Sequence, residues 1–331
     1  MKRLIPIMMA FFFGVLTMAQ KENEELRDYP GHATYKYSKF AAGYDYAQAF
    51  TPQEEISIKT KLESITGYLK GKDLISGPKG VEIILTGMIS EKAPLSEWNK
   101  KLVSDLTLTI FPWFIKDGKP DYHCIECEVA FTIHINRPDL VFNGTSIAGG
   151  SDIFDTDGIV MNLEPELFGE QDGCKVYGNG IIIISKNEPV WIPVTVRDYD
   201  EALIRKYEKL NKENPGEVLG NNFFISKIRE EMASFPEKEL NAPAFTGDKL
   251  GGCPYKLESS QARAIVKLNP RYFDKAKPRT AAELIIISSF YIAPSDNTEF
   301  YPTNEYSSYQ MTKLVEILKS LKYSELRKFF D

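Results

Sequence analysis

The stretch LTLTIFPWFIKDGKPDYHCIECEVAFTIHI, Leu106–Ile135, decides the fold. Two runs rich in apolar and β-branched residues, Leu106–Ile115 and Tyr122–Ile135, flank Asp117-Gly118, a dipeptide suited to the left-handed backbone of a tight hairpin turn. The second run alternates: Ile125, Cys127, Val129, Phe131, Ile133 and Ile135 fall on one face, with Cys124, Glu126, Glu128, Thr132, His134 and Asn136 on the other. An antiparallel hairpin is predicted, one face packed on a core and the other meeting water.

Outward from the hairpin, Val81–Ile89 reads as a strand and Leu95–Val103 as a short helix carrying Trp98. Further upstream Thr51 caps a helix, Pro52 occupies its first turn and Glu54 completes a capping box. Ile56, Ile58, Leu62, Ile65 and Leu69 give that helix its apolar side, and Gly71 stops it. Downstream, Ile159–Leu163 reads as a strand, and Cys174–Tyr177 with Ile181–Ile184 forms a hairpin around Gly178-Asn179-Gly180. After the apolar Val190–Val194, a helix begins near Thr195 with Val196, Tyr199, Leu203, Tyr207 and Leu210 at helical spacing, and Pro215-Gly216 ends it. Phe223–Met232 reads as another helix, Ala262–Leu268 and Glu283–Ile292 as strands, and Met311, Leu314, Val315, Leu318 and Leu321 mark a closing amphipathic helix.

Without regular βαβ alternation, this order predicts an α+β fold, a mostly antiparallel sheet with packed helices. The expected organisation is a signal peptide over 1–19, a flexible N-terminus over 20–32, an α+β domain over 33–194 built on the hairpin, and a helix-rich α+β region over 195–331 that completes the first.

The first residues divide as an export signal does. Lys2 and Arg3 are its positive start, and an apolar stretch from Leu4 to Met18 ends at the small Ala19. Broken by Pro6 and Gly14, that stretch falls short of the roughly twenty apolar residues that span a bilayer. The expectation is cleavage after Ala19, a periplasmic or secreted location and no integral membrane span in the mature chain. Net charge is -6 and becomes -8 once Lys2 and Arg3 leave. A nucleic-acid partner is not expected, because phosphate neutralisation needs a concentrated basic face and the nearest candidate is a short loop with Arg271, Lys275, Lys277 and Arg279.

Each candidate site has a plainer reading beside it. Cys124 and Cys127 have the spacing of redox and zinc pairs, but within a strand their side chains point to opposite faces. Structural cysteines in an oxidising compartment are expected instead, with Cys174 and Cys253 the disulfide candidates because each lies beside glycine in an apparent loop. The segment 153–164 partly fits a calcium loop, with Asp155, Asp157, Gly158 and Glu164 at fitting positions. Ile153 occupies the position an acid should hold and Asp152 sits one residue early, so an acidic turn is the reading. A weak calcium site at Asp152, Asp155, Asp157 and Glu164 is its alternative, and no other cofactor is expected.

Ser76 and Lys79 have penicillin-binding spacing, but the intervening Gly-Pro prevents the shared helical turn that chemistry uses. Three histidines leave a Ser-His catalyst few bases: His32 lies near the flexible start and His123 on the apolar side of its strand. Trp98, Trp113, Trp191, Tyr35, Tyr37, Tyr44 and Tyr46 offer surfaces for sugar stacking, against a commoner role in the core.

Pro189–Glu208, PVWIPVTVRDYDEALIRKYE, and Asn269–Ile287, NPRYFDKAKPRTAAELIII, resemble a loose group of uncharacterised exported proteins of Bacteroidetes type. In that group an apolar strand and a Pro-Val-Thr turn feed a helix, and an Asn-Pro-x-Tyr-Phe-Asp segment follows later. The resemblance implies export and the strand-to-helix reading, and it assigns no activity. The functional expectation is a non-catalytic binding or interaction protein with an unknown envelope or extracellular partner. Its alternative is a hydrolase of envelope or extracellular polymer that uses paired carboxylates.

Overall fold

The computed structural model describes residues 26–38, 50–89, 101–123, 128–142, 147, 153–178, 180–186, 189–246, 262–289, 292 and 309–331. The expected signal peptide and its Gln20 start, Cys124, Cys127, Cys253, Asp152, Trp98, Tyr44 and Tyr46 lie outside the described residues.

In chain order the strands are β1 (Ala33–Ser38), β2 (Val81–Ile89), β3 (Ser104–Pro112), β4 (Phe114–Lys116), β5 (Lys119–Asp121), β6 (Val129–Ile135), β7 (Ile153–Phe154) and β8 (Val160–Leu163). They continue as β9 (Leu167–Gln171), β10 (Cys174–Tyr177), β11 (Ile181–Ser185), β12 (Trp191–Pro193), β13 (Phe245–Thr246), β14 (Arg263–Leu268) and β15 (Leu284–Ser288). The helices are α1 (Pro52–Lys70), α2 (Asp73–Ser76), α3 (Val196–Glu213), α4 (Val218–Ser234), α5 (Glu237–Leu240) and α6 (Tyr309–Ser320).

Eight strands form one sheet in the order β1-β2-β3-β6-β15-β11-β10-β9, and β12-β14-β8-β7 with β13 form a second. Among the described strands only β1 and β2 run parallel, so the fold is α+β with mostly antiparallel pairing. The late strand β15 sits between β6 and β11, and α6 packs on the same core as α1. The region after residue 195 therefore supplies a central strand and a covering helix to the fold begun before it.

Side-chain alternation sorts the core into three layers. Leu85, Leu106, Leu108, Phe131, Ile133, Ile285 and Ile287 point from the large sheet toward α1 and α6. Tyr177, Ile181, Ile183, Leu284 and Ile286 point the other way and meet Val266 and Leu268 of the second sheet. Ile265, one residue out of phase, joins Ile153 and Met161 beneath Val196, Tyr199 and Ala202 of α3. The order is helices, large sheet, small sheet, helices, and each interface is filled by buried apolar side chains, whose burial contributes about 25 cal/mol per Å².

The α1 capping box forms: Thr51 Oγ1 accepts from the Glu54 amide, and Glu54 Oε2 accepts from the Thr51 amide. Ile56 departs from its expected role, standing 57% exposed. Residues 101–103, the described end of the expected Leu95–Val103 helix, are not helical. Residues 26–32, expected to be flexible, are tied down: Gly31 donates to the Pro78 carbonyl at 2.9 Å, His32 to Glu82 at 2.9 Å, and Leu26 is buried. The central hairpin is interrupted at Trp113, and its tip, β4 and β5, turns through Asp117 and Gly118 at φ 52° and 73°. Asn136 follows β6 at φ 57°, fully buried, donating to the carbonyls of Leu102 and Ala281 and accepting from the amides of Glu283 and Leu284. It locks the end of β6 to the start of β15.

Candidate active site

The small sheet covers only part of the large one. The apolar cluster between the two sheets draws on β10, β11 and β15 of the large sheet and, among the described residues, includes none from β1, β2, β3 or β6. At the border of the covered half, three polar side chains stand on one face of adjacent strands. Register pairs Asp105 of β3 with His134 of β6, and Ile286 of β15 with His134 on its other side. Ser288, two residues on from Ile286, therefore shares the face of His134 diagonally across the strand gap.

The three form a hydrogen-bond chain. His134 Nδ1 lies 2.7 Å from Asp105 Oδ1, and His134 Nε2 lies 2.8 Å from Ser288 Oγ. A carboxylate only accepts, so Nδ1 carries the proton and Nε2 is left to accept the Ser288 hydroxyl. This tautomer is the one a general base needs. The His134 and Asp105 side chains are 12% and 10% exposed, and Ser288 is half-buried. Behind them Arg137 is gripped by Asp139, with Nη2 to Oδ2 at 2.8 Å, and places Nη1 3.6 Å from Asp105 Oδ2. Both oxygens of Asp105 thus have partners, which fixes the carboxylate's rotation and with it the imidazole plane.

The row beyond Ser288 is hydroxylic. Thr132 lies opposite Ser288, Thr107 opposite Thr132 and Thr86 opposite Thr107, ending at Lys36 of β1. Thr107 and Thr132 are bonded to each other through Oγ1 atoms 3.0 Å apart.

Of the acids singled out in the sequence, Asp155 and Asp157 share a turn and Glu164 stands apart from them. Asp155 is buried and committed: Oδ1 accepts from the amides of Asp157 and Ile159, both at 2.8 Å, and Oδ2 from Lys267 Nζ at 2.7 Å. Asp157 is exposed on the same turn, while Glu164 stands at the opposite end of β8, accepting from Trp191 Nε1 at 3.2 Å. Four strand residues, roughly 13 Å, separate the two ends. Among the described residues no group of three His, Cys, Asp or Glu side chains converges as a metal site requires.

Cys174, expected in a loop, lies in β10 with its thiol in the core, and burial pushes that thiol up to about 11. It is a free thiol. His123 is not on an apolar side: β5 ends at Asp121, and beyond it the exposed ring stacks on Tyr122 and bonds Asp121 at 2.7 Å. Tyr35 and Tyr37 pack against the core, and Trp113 is buried beside Tyr29 and Tyr122. Of the tryptophans expected to stack on ligands, Trp191 remains half-buried. In the basic loop, Arg279 pairs with Glu54 and Lys277 with Asp331 and Glu283.

Sequence reading missed Asp105 and Ser288. The one usable signal was His134 on the polar side of its strand. Its partners lie 29 and 154 residues away, and no local motif joins them. Compared with protein-family models, with curated proteins and with solved structures, the chain matches none.

Proposed function

We propose that the protein is an exported acyl hydrolase with Ser288 as nucleophile, His134 as general base and Asp105 as the group that holds the base. The hydrogen-bond chain Ser288–His134–Asp105 carries this reading, and the apolar stretch Leu4–Met18 supports export to an envelope or extracellular substrate. As Ser288 Oγ attacks an ester or amide carbonyl, His134 Nε2 takes its proton, and the imidazolium is stabilised by Asp105. Collapse of the tetrahedral intermediate returns that proton to the leaving oxygen or nitrogen, leaving an acyl group on Ser288. Water, deprotonated by the same nitrogen, then attacks the acyl carbon, and the proton passes to Ser288 Oγ as its bond to that carbon breaks and the acid leaves. This reading uses a serine where the alternative hydrolase expectation used paired carboxylates.

The test is labelling by a fluorophosphonate together with turnover of nitrophenyl esters and acylated glycans. Wild type should label at Ser288, and Ser288→Ala and His134→Ala should each lose turnover by about 10³-fold or more. Labelling elsewhere, or turnover that survives Ser288→Ala, would refute the assignment.

One observation favours a second reading, the non-catalytic binding protein expected at the outset. Ser288 is paired on both sides within the sheet and the Ser289 amide donates to Gly180 at 3.1 Å, so these main-chain donors are committed. On that reading the same hydroxyl row binds a ligand without turnover. Wild type would then neither label nor hydrolyse, and the ligand would be retained by Ser288→Ala.

A further inference from the structure

An acyl hydrolase must stabilise the oxyanion that forms when the carbonyl is attacked, and main-chain amides usually do so. Here the Ser289 amide is bonded to Gly180, its hydroxyl donates to the Ala130 carbonyl at 3.1 Å, and Ser288 lies inside the ladder between Thr132 and Ile181. With the main chain of Ser288 and Ser289 committed, the donor we look to is a side chain on the same face of the sheet. Thr132 is directly opposite Ser288, a relation that holds Cβ atoms about 4.5–5.5 Å apart, near enough for a hydroxyl to reach an oxygen on a carbon bonded to Ser288 Oγ.

We propose, resting on the hydrolase reading, that Thr132 is a catalytic residue whose hydroxyl donates to the oxyanion, and that Thr107 is a positioning residue that aims it. A threonine hydroxyl has one proton and two acceptor sites. When Thr107 donates across the 3.0 Å Oγ1 contact, the Thr132 proton is released from that contact and turns toward Ser288. As the Ser288 Oγ–carbon bond forms, the carbonyl π pair moves onto oxygen, and the Thr132 hydroxyl donates to that charge. When the intermediate collapses the carbonyl re-forms and the bond weakens. The donor therefore acts in the transition state more than in the ground state, and its loss should fall on kcat rather than KM.

Valine keeps the β-branched shape of threonine and suits a strand, so Thr132→Val removes the hydroxyl with little change in backbone preference. The expected result is a loss of kcat of about 10²-fold, the scale of one oxyanion donor, with KM and melting temperature held. Thr132→Ser should restore most of the rate, and Thr107→Val should lower kcat by less than Thr132→Val. The nitrophenyl ester is the substrate and the fluorophosphonate, whose attack passes through the same oxyanion, is the second readout. A Thr132→Val enzyme that keeps wild-type kcat and labelling rate would overturn the role of Thr132 while leaving Ser288 as nucleophile. Wild type that neither labels nor turns over would overturn the hydrolase reading itself, and the oxyanion role with it. Loss of melting temperature in Thr132→Val that Thr132→Ser restores without restoring kcat would show a structural role only.

Discussion

Asparagine at position 200 should stabilise the protein at neutral and alkaline pH and leave it unchanged in acid. Asp200 lies on the buried face of α3 with Val196, Tyr199 and Ala202; it is 0% exposed, and neither carboxylate oxygen has a hydrogen-bond partner. Burial pushes its carboxyl from the ordinary 3.8 to about 7, and Glu231 on α4 adds repulsion. The folded state therefore holds the proton more tightly than the unfolded chain. Its full stability is present below about pH 4, falls as the pH rises toward about 7, and is constant above that. Across roughly three pH units at about 1.4 kcal/mol each, the loss is about 4 kcal/mol. Asparagine has the same shape and no charge, and its amide meets the same lack of partners as the protonated acid. The two proteins should match near pH 4 and differ by about 4 kcal/mol near pH 8. Denaturant unfolding of both across that range isolates the effect, because every other titrating group is shared. A difference that does not change with pH, or an Asn variant less stable near pH 8, would refute the burial argument.

Asn136→Ala should cost about 3 kcal/mol or more, measured as a shift in denaturant midpoint, because it strands two buried carbonyls and two buried amides between β6 and β15. Unchanged stability would mean that water replaces the side chain. In native protein near pH 8, Cys174 should resist iodoacetamide, its thiol being 1% exposed and held protonated by burial, and should react once the chain unfolds without reductant. Failure to react even then would reveal that Cys174 is held in a disulfide, as its place beside glycine suggests.

Much of the local structure was legible because its causes are local. The Thr51 capping box, the strand pattern of Val81–Ile89, the glycines that join β10 to β11 and the Asp117-Gly118 turn all act within a few residues. The register of the central hairpin was not. Closed simply on Asp117-Gly118, as β4 and β5 are, the ladder pairs Phe114 with Asp121, and continued unchanged it would set Lys101 opposite His134. From Phe114 to Ile110 the first arm advances four positions while the returning arm advances eight, from Asp121 to Val129, so the register slips by four and Asp105 stands there instead. An even slip keeps every side chain on its face, which is why the apolar pattern agrees with both registers and chooses neither.

The sequence by itself determined the fold class, the positions of most strands and helices, and the polar face on which His134 stands. Tertiary structure alone decided what His134 meets. That needed β3 to arrive in a slipped register and β15, from far along the chain, to enter between β6 and β11. Local propensity and capping are set by neighbours in the chain, whereas strand order and register follow from burying both faces of one sheet beneath different layers, a condition that only the whole chain can satisfy.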